Sequence, residues 1–265
     1  MDIVYIGYSD TMFELLMSSH NYEIKKIVYV EARVSEKYKR LLNNSQIDTL
    51  NIKTKEDVQK IEKFIDSIKV VLMYKFEYIL PQKLIEAHRI FNFHGGSLKT
   101  NRGPHAVVRS IINCDKETVL SMYELTGGID VGLLIGEYRV AISLEETVKS
   151  LNAKLQKGIP KLLALLREYL QGDLQGVLIE DGKYYSKITK ADYTLDLEKD
   201  SFEKMGAILR SQRDYFGAIC YMQNLERRVK DWKEEETTEN SNRKICLEEN
   251  RIIVEDGKRK LILYL

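Results

Sequence analysis

The stretch FNFHGGSLKTNRGPHAVVRSIIN, residues 91–113, runs from a strand pattern through a glycine-rich loop into a helical pattern. Its first residues place Asn92 and His94 two apart. In an extended strand, positions i and i+2 point to one face, so an amide and an imidazole project into the same space. A second glycine-rich segment, YELTGGIDVGLL at 123–134, brings Asp130 as a carboxylate partner for that imidazole. Amide, imidazole and carboxylate at the edge of a sheet are the groups needed to move an acyl group onto an amine.

Before this stretch, short runs rich in Ile, Val and Tyr alternate with helical spacing. DIVYIGY (2–8), KKIVYV (25–30), DTLNIK (48–53), KVVLMY (69–74) and IFNFH (90–94) read as strands. DTMFELLMS, VSEKYKRLLNN, KEDVQKIEKFIDS and LPQKLIEAH read as the helices between them. This alternation predicts an α/β fold, a mainly parallel Rossmann-like sheet with helices on both faces. Ligands of such sheets bind beyond the carboxyl ends of the strands, where Asn92 and His94 fall. The first strand carries only Gly7, not G-x-G-x-x-G, which argues against a dinucleotide site.

After it, TVLSMYEL (118–125) and EYRVAI (137–142) read as strands, and 144–172 as a long helical stretch bent or divided at Pro160. GVLIEDGKYY (176–185) carries an Asp-Gly hairpin signal, and 200–211 is helical. The polar run KEEETTENSNRK (233–244) reads as an exposed loop. The last residues read as two or three antiparallel strands around Asp256-Gly257. A boundary near residue 180 then separates a first domain, 1–180, from a smaller module, 181–265, of helix and antiparallel strands.

The 265 residues are 44% hydrophobic, enough for a sizeable core, and the formal net charge is +1 with a pI near 7.6. That balance forecasts no broad footprint for nucleic acid or an anionic membrane. Cys114, Cys220 and Cys246 are widely spaced, which argues against a disulfide framework or structural zinc. The start, MDIVYIGYSD, has no basic n-region, and no run approaches bilayer length. The expectation is a soluble cytoplasmic protein with no membrane partner.

The ordered motifs carry a likeness. Asn92-Phe93-His94, Arg102-Gly103, AVVRSIIN, DKET and Gly128-Ile129-Asp130-Val131-Gly132 follow one another without a gap. In this the chain resembles the folate-dependent formyltransferase family, more weakly also through YILP (78–81) and SKITKADYTLDL (186–197). The resemblance implies a formyltransferase domain over 1–180, a 10-formyl-tetrahydrofolate donor, an amine acceptor and no metal. Carried over by position, the catalytic residues are Asn92, His94 and Asp130. The donor's pterin would lie against Met73, Tyr74, Lys75, Tyr78 and Ile79, and against Leu125, Gly127 and Gly128.

Those residue types suit the reaction. The attacking amine must be neutral, and an imidazole titrating near neutral pH can take its proton. A neighbouring carboxylate fixes the ring and stabilises its charged form. An amide N–H can meet the oxyanion as the formyl carbon becomes tetrahedral. Read singly, Asn92 and His94 could be satisfied polar residues at a strand end, and Asp130 a turn residue; the ordered matches favour the catalytic reading.

The loop also bears on the acceptor. The family's tRNA-acting branch usually has a proline and then Tyr-Arg-Gly after the histidine; here Lys99 and Asn101 stand in the proline and tyrosine positions, and Arg109 where an aromatic is common. GGSLKTNRG and LTGGIDVGLL look more like the branch that formylates nucleotide-linked amino sugars. They are most similar to enzymes of the pseudaminic acid route acting on a UDP-linked 4-amino-4,6-dideoxy sugar. Such a substrate would be met by Lys99, Arg102, Lys187 and His105, with Tyr184, Tyr185 or Tyr215 stacking on the base. The alternatives are a methionyl-tRNA formyltransferase, a formyl-tetrahydrofolate hydrolase, and a non-catalytic folate- or nucleotide-binding module. The resemblance and the apolar terminal strands point to a homodimer.

Overall fold

The computed structural model describes residues 1–65 and 67–265, the side chains of 239–241 aside. The chain opens with β1 (Asp2–Gly7), α1 (Asp10–Met17), β2 (Glu23–Tyr29), α2 (Glu36–Ser45) and β3 (Asp48–Asn51). It continues with α3 (Lys60–Ile65), β4 (Val70–Tyr74), α4 (Gln82–Ala87) and β5 (Arg89–His94). Asp66, in the run expected to be helical, lies outside the described residues. Then come α5 (Ala106–Ile112), β6 (Glu117–Leu125), β7 (Gly132–Ala141), α6 (Val148–Gln156), α7 (Ile159–Gln171) and β8 (Val177–Ile179).

These strands form one sheet in the order β3-β2-β1-β4-β5-β6-β7-β8. The pairs β2–β3, β1–β2, β1–β4 and β4–β5 are parallel, while β5–β6 and β7–β8 are antiparallel. The α/β expectation holds. Strand order reverses between β1 and β4, which is where such sheets open a crevice at their carboxyl ends. Gly7 ends β1 there with φ near +149°, and a Cβ on it would lie 1.9 Å from the Tyr74 carbonyl oxygen. Only glycine lets these two strand ends run so close.

Alternation sets the faces. Val4, Ile6, Val28, Val71, Met73 and Ile90 join one buried cluster with Ile61 and Ile65 of α3 and Leu84 of α4. Tyr5 points the other way, 6.3 Å from Phe13 of α1, and Phe91 meets Tyr169 of α7 edge-on at 6.1 Å. Each such apolar side chain contributes about 1.5–3 kcal/mol on burial. Ser9 and Ser35 cap α1 and α2 by accepting the Met12 and Tyr38 N–H groups. Pro160 sits in the first turn of α7, so it divides the long helical stretch.

The remaining elements are β9 (Thr194–Leu195), α8 (Phe202–Gln212), β10 (Ala218–Met222), β11 (Leu225–Val229), β12 (Asp231–Glu248) and β13 (Arg251–Tyr264). Strands β11-β10-β9 make a small sheet, and β12 and β13 a two-stranded ribbon. Contacts divide the described residues into two compact units. The first holds 1–104, 119–139 and 154–185; the second holds 105–118, 140–153 and 186–265.

Three local expectations are corrected. Residues 233–244 are not a loop but the middle of β12, because β13 supplies a partner with Trp232 opposite Leu263, Ile245 opposite Val254 and Leu247 opposite Ile252. The ribbon turns at 249–250, not at Asp256-Gly257, which lies within β13 where the register shifts. The Asp181-Gly182 turn does not fold 183–185 back onto β8. Those residues bond instead to the loop after β5, Lys183 N to Lys99 O and Tyr185 N to Arg102 O, both at 2.9 Å.

Candidate active site

Strand β5 ends at His94, and β6 runs antiparallel beside it with Asn92 opposite Tyr123 and His94 opposite Ser121. Residues directly opposite in an antiparallel pair share a face. The register therefore places a tyrosine hydroxyl among the groups singled out from the sequence. Asn92 Nδ2 donates to Tyr123 Oη at 2.7 Å, and Tyr123 Oη donates to Asp130 Oδ1 at 2.7 Å. The second carboxylate oxygen, Oδ2, accepts the Gly103 N–H at 2.6 Å. Asp130 sits in the turn after Gly128 with φ near +51°, a strained conformation for a residue with a Cβ.

His94 Nδ1 lies 3.5 Å from Asp130 Oδ1, with both side chains about nine-tenths buried. The other ring nitrogen, Nε2, is 2.8 Å from the Asn101 carbonyl oxygen. A carbonyl only accepts, so Nε2 carries a hydrogen, and Nδ1 is the position left to gain one.

The loop from Leu98 to Gly103 is fixed by Arg102. Its side chain is buried, with Nε donating to Leu98 O at 2.6 Å, Nη2 to Ile179 O at 2.7 Å and Nη1 to Glu180 O at 3.3 Å. Arg102 therefore fastens the loop to 179–185, and its guanidinium faces backbone carbonyls. Gly103 has φ near +100°, and a Cβ on it would meet Tyr185 O at 2.1 Å and the Tyr184 ring at 2.9 Å. Glycine here lets the chain pass under Tyr184 and aim its N–H at Asp130.

The residues expected near the donor lie at the ends of β4 and β6. Met73 and Tyr74 are buried. Lys75 is half-buried with φ near +58°, and its ammonium lies 5.6 Å from the Tyr74 ring centre. Burial holds the Lys75 amine below its usual range, against the pull of the Asp10 carboxylate. Phe76, Tyr78 and Leu125 pack on the edge of the core cluster, and Ile79 is 71% exposed. Gly127 and Gly128 have φ near +129° and +76°.

Of the residues expected to meet the acceptor, Lys99 is exposed, Tyr184 is half exposed, and Tyr185 lies under the Lys183 ammonium at 4.7 Å. His105, Lys187 and Tyr215 belong to the second unit, where all three are exposed and His105 caps α5 with φ near +63°. Arg109, buried in that unit, donates to Asp192 Oδ1 at 2.6 Å. A cavity of about 600 Å³ in the second unit is lined by Lys190, Leu195, Leu197, Tyr221, Met222 and Ile245, and contains none of the expected site residues. Among the described residues there is no cluster of His, Cys, Asp or Glu able to hold a metal, and no helix long and apolar enough to cross a membrane.

Sequence reasoning missed Tyr123, the Asn101 carbonyl and the Gly103 N–H. Only Tyr123 left a signal: Ser121 and Tyr123 are alternate hydroxyl-bearing residues, which a strand places on one face. The two backbone groups left none.

Comparison with known proteins follows the same segment. The formyl transferase family profile matches residues 19–165, more than half of the chain. A methionyl-tRNA formyltransferase of Janthinobacterium sp. (strain Marseille) is 29% identical over 155 residues, 57% of this chain and 49% of that protein. The chain thus spans about half the length of that relative. Among solved structures, WlaRD, a sugar 3N-formyl transferase solved with dTDP and 5-N-formyl-THF, superposes with a TM-score of 0.72 at 15% identity, over 100% of this chain and 97% of its own. A 4-N formyltransferase from Francisella tularensis gives 0.70 at 19% identity, over 86% and 96%. At these identities the structures share a fold.

Proposed function

Because the chain belongs to the formyl transferase family, we propose that it moves the formyl group of 10-formyl-tetrahydrofolate onto the amino group of a nucleotide-linked amino-dideoxy sugar. The observation that carries this reading is the gathering of Asn92, His94 and Asp130 at the end of β5, through Tyr123 and at a His94–Asp130 separation of 3.5 Å. In this reaction a bond forms from the acceptor nitrogen to the formyl carbon, and the bond from that carbon to N10 breaks. The acceptor sheds one proton and N10 gains one. His94 takes the amine's proton at Nδ1, and Asp130 steadies the charged ring. Asn92 offers its second N–H to the formyl oxygen as that oxygen gains charge, a contact worth about 3–4 kcal/mol. The apolar edge at Phe76, Tyr78, Ile79 and Leu125 would hold the pterin.

For the acceptor, Lys99 is the cation we assign to a diphosphate, and Tyr184 the ring for a base. Arg102 is a fastener of the loop in this reading. The near-neutral charge supports a small acceptor over tRNA, whose affinity rests on phosphate neutralisation. Structural likeness to sugar N-formyltransferases, over at least 86% of this chain, is consistent with that reading. The higher identity, 29%, belongs to the tRNA enzyme and favours the second reading, a methionyl-tRNA formyltransferase. We assign the chemistry to residues 1–180, and acceptor and dimer contacts to 181–265. The open edges of the β12–β13 ribbon suit pairing with a second copy, which light scattering at several concentrations would register as doubled mass.

Incubation with 10-formyl-tetrahydrofolate and a panel of amino-sugar nucleotides tests the proposal. Mass spectrometry should find one formyl group gained by a sugar. Formylation of charged initiator tRNA and of no sugar would establish the second reading, and release of formate alone would make the protein a hydrolase.

A further inference from the structure

Tyr123 is fully buried in a core cluster with Leu98 and Ile179, yet its hydroxyl stands between the two side chains on which the proposed chemistry turns. A tyrosine hydroxyl has one hydrogen to give. A carboxylate only accepts, so that hydrogen points at Asp130 Oδ1, 2.7 Å away. The hydroxyl oxygen can then only accept from Asn92. An amide has a donor end and an acceptor end of nearly the same shape, and only the donor end satisfies this neighbour. A flipped Asn92 would set its carbonyl oxygen against the hydroxyl oxygen with no hydrogen between them.

We propose that Tyr123 is a positioning residue that fixes which end of the Asn92 amide faces the reacting formyl group, by committing its one hydroxyl hydrogen to Asp130. The consequence for catalysis rests on the formyl-transfer reading above; the fixing of the amide does not. Asp130 thereby has two tasks. It faces His94 directly, and through Tyr123 it holds Asn92 with Nδ2 inward and one N–H unspent. Burial, and then the adjacent Asp130 charge, push the Tyr123 hydroxyl well above the ordinary tyrosine range, so it keeps its hydrogen at working pH. The backbone supports the arrangement, since Asn92 and Tyr123 are directly paired across β5 and β6.

The test uses Tyr123→Phe in the whole chain, which keeps the buried ring and removes only the hydroxyl. Turnover should fall by about tenfold or more with KM for the donor changed less than about threefold, since the lost interaction matters after binding. In an Asn92→Ala background the same change should cost less than about threefold, because its main route of action is gone. Equal losses in both backgrounds, or no loss in the first, would overturn the proposal. A second measurement is independent of activity. In 15N-labelled protein the Asn92 side-chain amide hydrogens should exchange at least about tenfold more slowly than those of exposed Asn224. That protection should disappear in Tyr123→Phe. An Asn92 amide exchanging as fast as Asn224 in the unaltered protein sinks the proposal, even if Tyr123→Phe does not fold. If the protein transfers no formyl group while protection is found, the reading of function falls and the fixed amide stands.

Discussion

The end of β5 and the β12–β13 ribbon spend polar residues in opposite ways. At β5, a few polar groups are buried and each is held by another: Asn92 by Tyr123, Tyr123 by Asp130, Asp130 by the Gly103 N–H and His94 by the Asn101 carbonyl. In the ribbon many polar residues are solvated, and apolar residues bear the load. Ile252, Val254, Leu261 and Leu263 of β13 are buried with Trp232, Ile245 and Leu247 packed against their cluster. Polarity alone thus says little about structure. Where a polar group is buried its geometry is dictated, because an unmatched donor or acceptor costs about 1–3 kcal/mol. Where it is solvated it is nearly free to vary.

The largest effects should therefore come from removing single polar groups at β5. His94→Ala and Asp130→Ala are each expected to lower turnover by about 10³-fold or more while the protein stays folded. Steady-state kinetics beside a circular dichroism melt checks both. Near-normal turnover in either variant removes that residue from the proposed chemistry and makes its buried geometry merely structural.

Gly103→Ala comes next. The new methyl would sit 2.1 Å from the Tyr185 carbonyl oxygen, at a φ near +100° that side chains rarely adopt. Backbone must move, and the N–H now bonded to Asp130 moves with it. A shift of about 1 Å in a reacting constellation can cost about 10²-fold. Turnover should fall by that order, with a lowered melting temperature. A variant as active as the parent would show that Asp130 does not depend on this backbone anchor.

How much of this was legible in the sequence follows from where each cause lies. β1 to β5 were readable because their apolar runs are local and bounded by helical spacing. Asn92 and His94 were readable because i and i+2 share a face whatever the strand pairs with. Tyr123 was not, since a tyrosine in an apolar strand looks like core, and its polar role depends on the register between β5 and β6. Arg102 was readable equally as a phosphate contact or as a loop anchor, because a lone arginine in a glycine-rich loop does not disclose the three carbonyls that take its hydrogens. The polar 233–244 run was read as a loop because what makes it a strand is pairing with β13, which its own composition does not disclose.

The ribbon supplies the smallest expected effect. Glu234 pairs with Arg259, and both side chains are about half exposed. Such a pair gains little, since solvent screens the charges and ordering two long side chains costs entropy. Glu234→Ala should lower unfolding free energy by less than about 1 kcal/mol, and added salt should shrink the difference. Leu263, opposite Trp232 and fully buried, is the control on the same ribbon; Leu263→Ala should cost about 2–5 kcal/mol through lost burial and the cavity left behind. Urea denaturation of both variants gives the ratio. A Glu234→Ala loss as large as that of Leu263→Ala would mean that charge pairs, not apolar alternation, hold β12 against β13. The contrast between buried and solvated polar groups would then fail in the ribbon, where it is simplest to test.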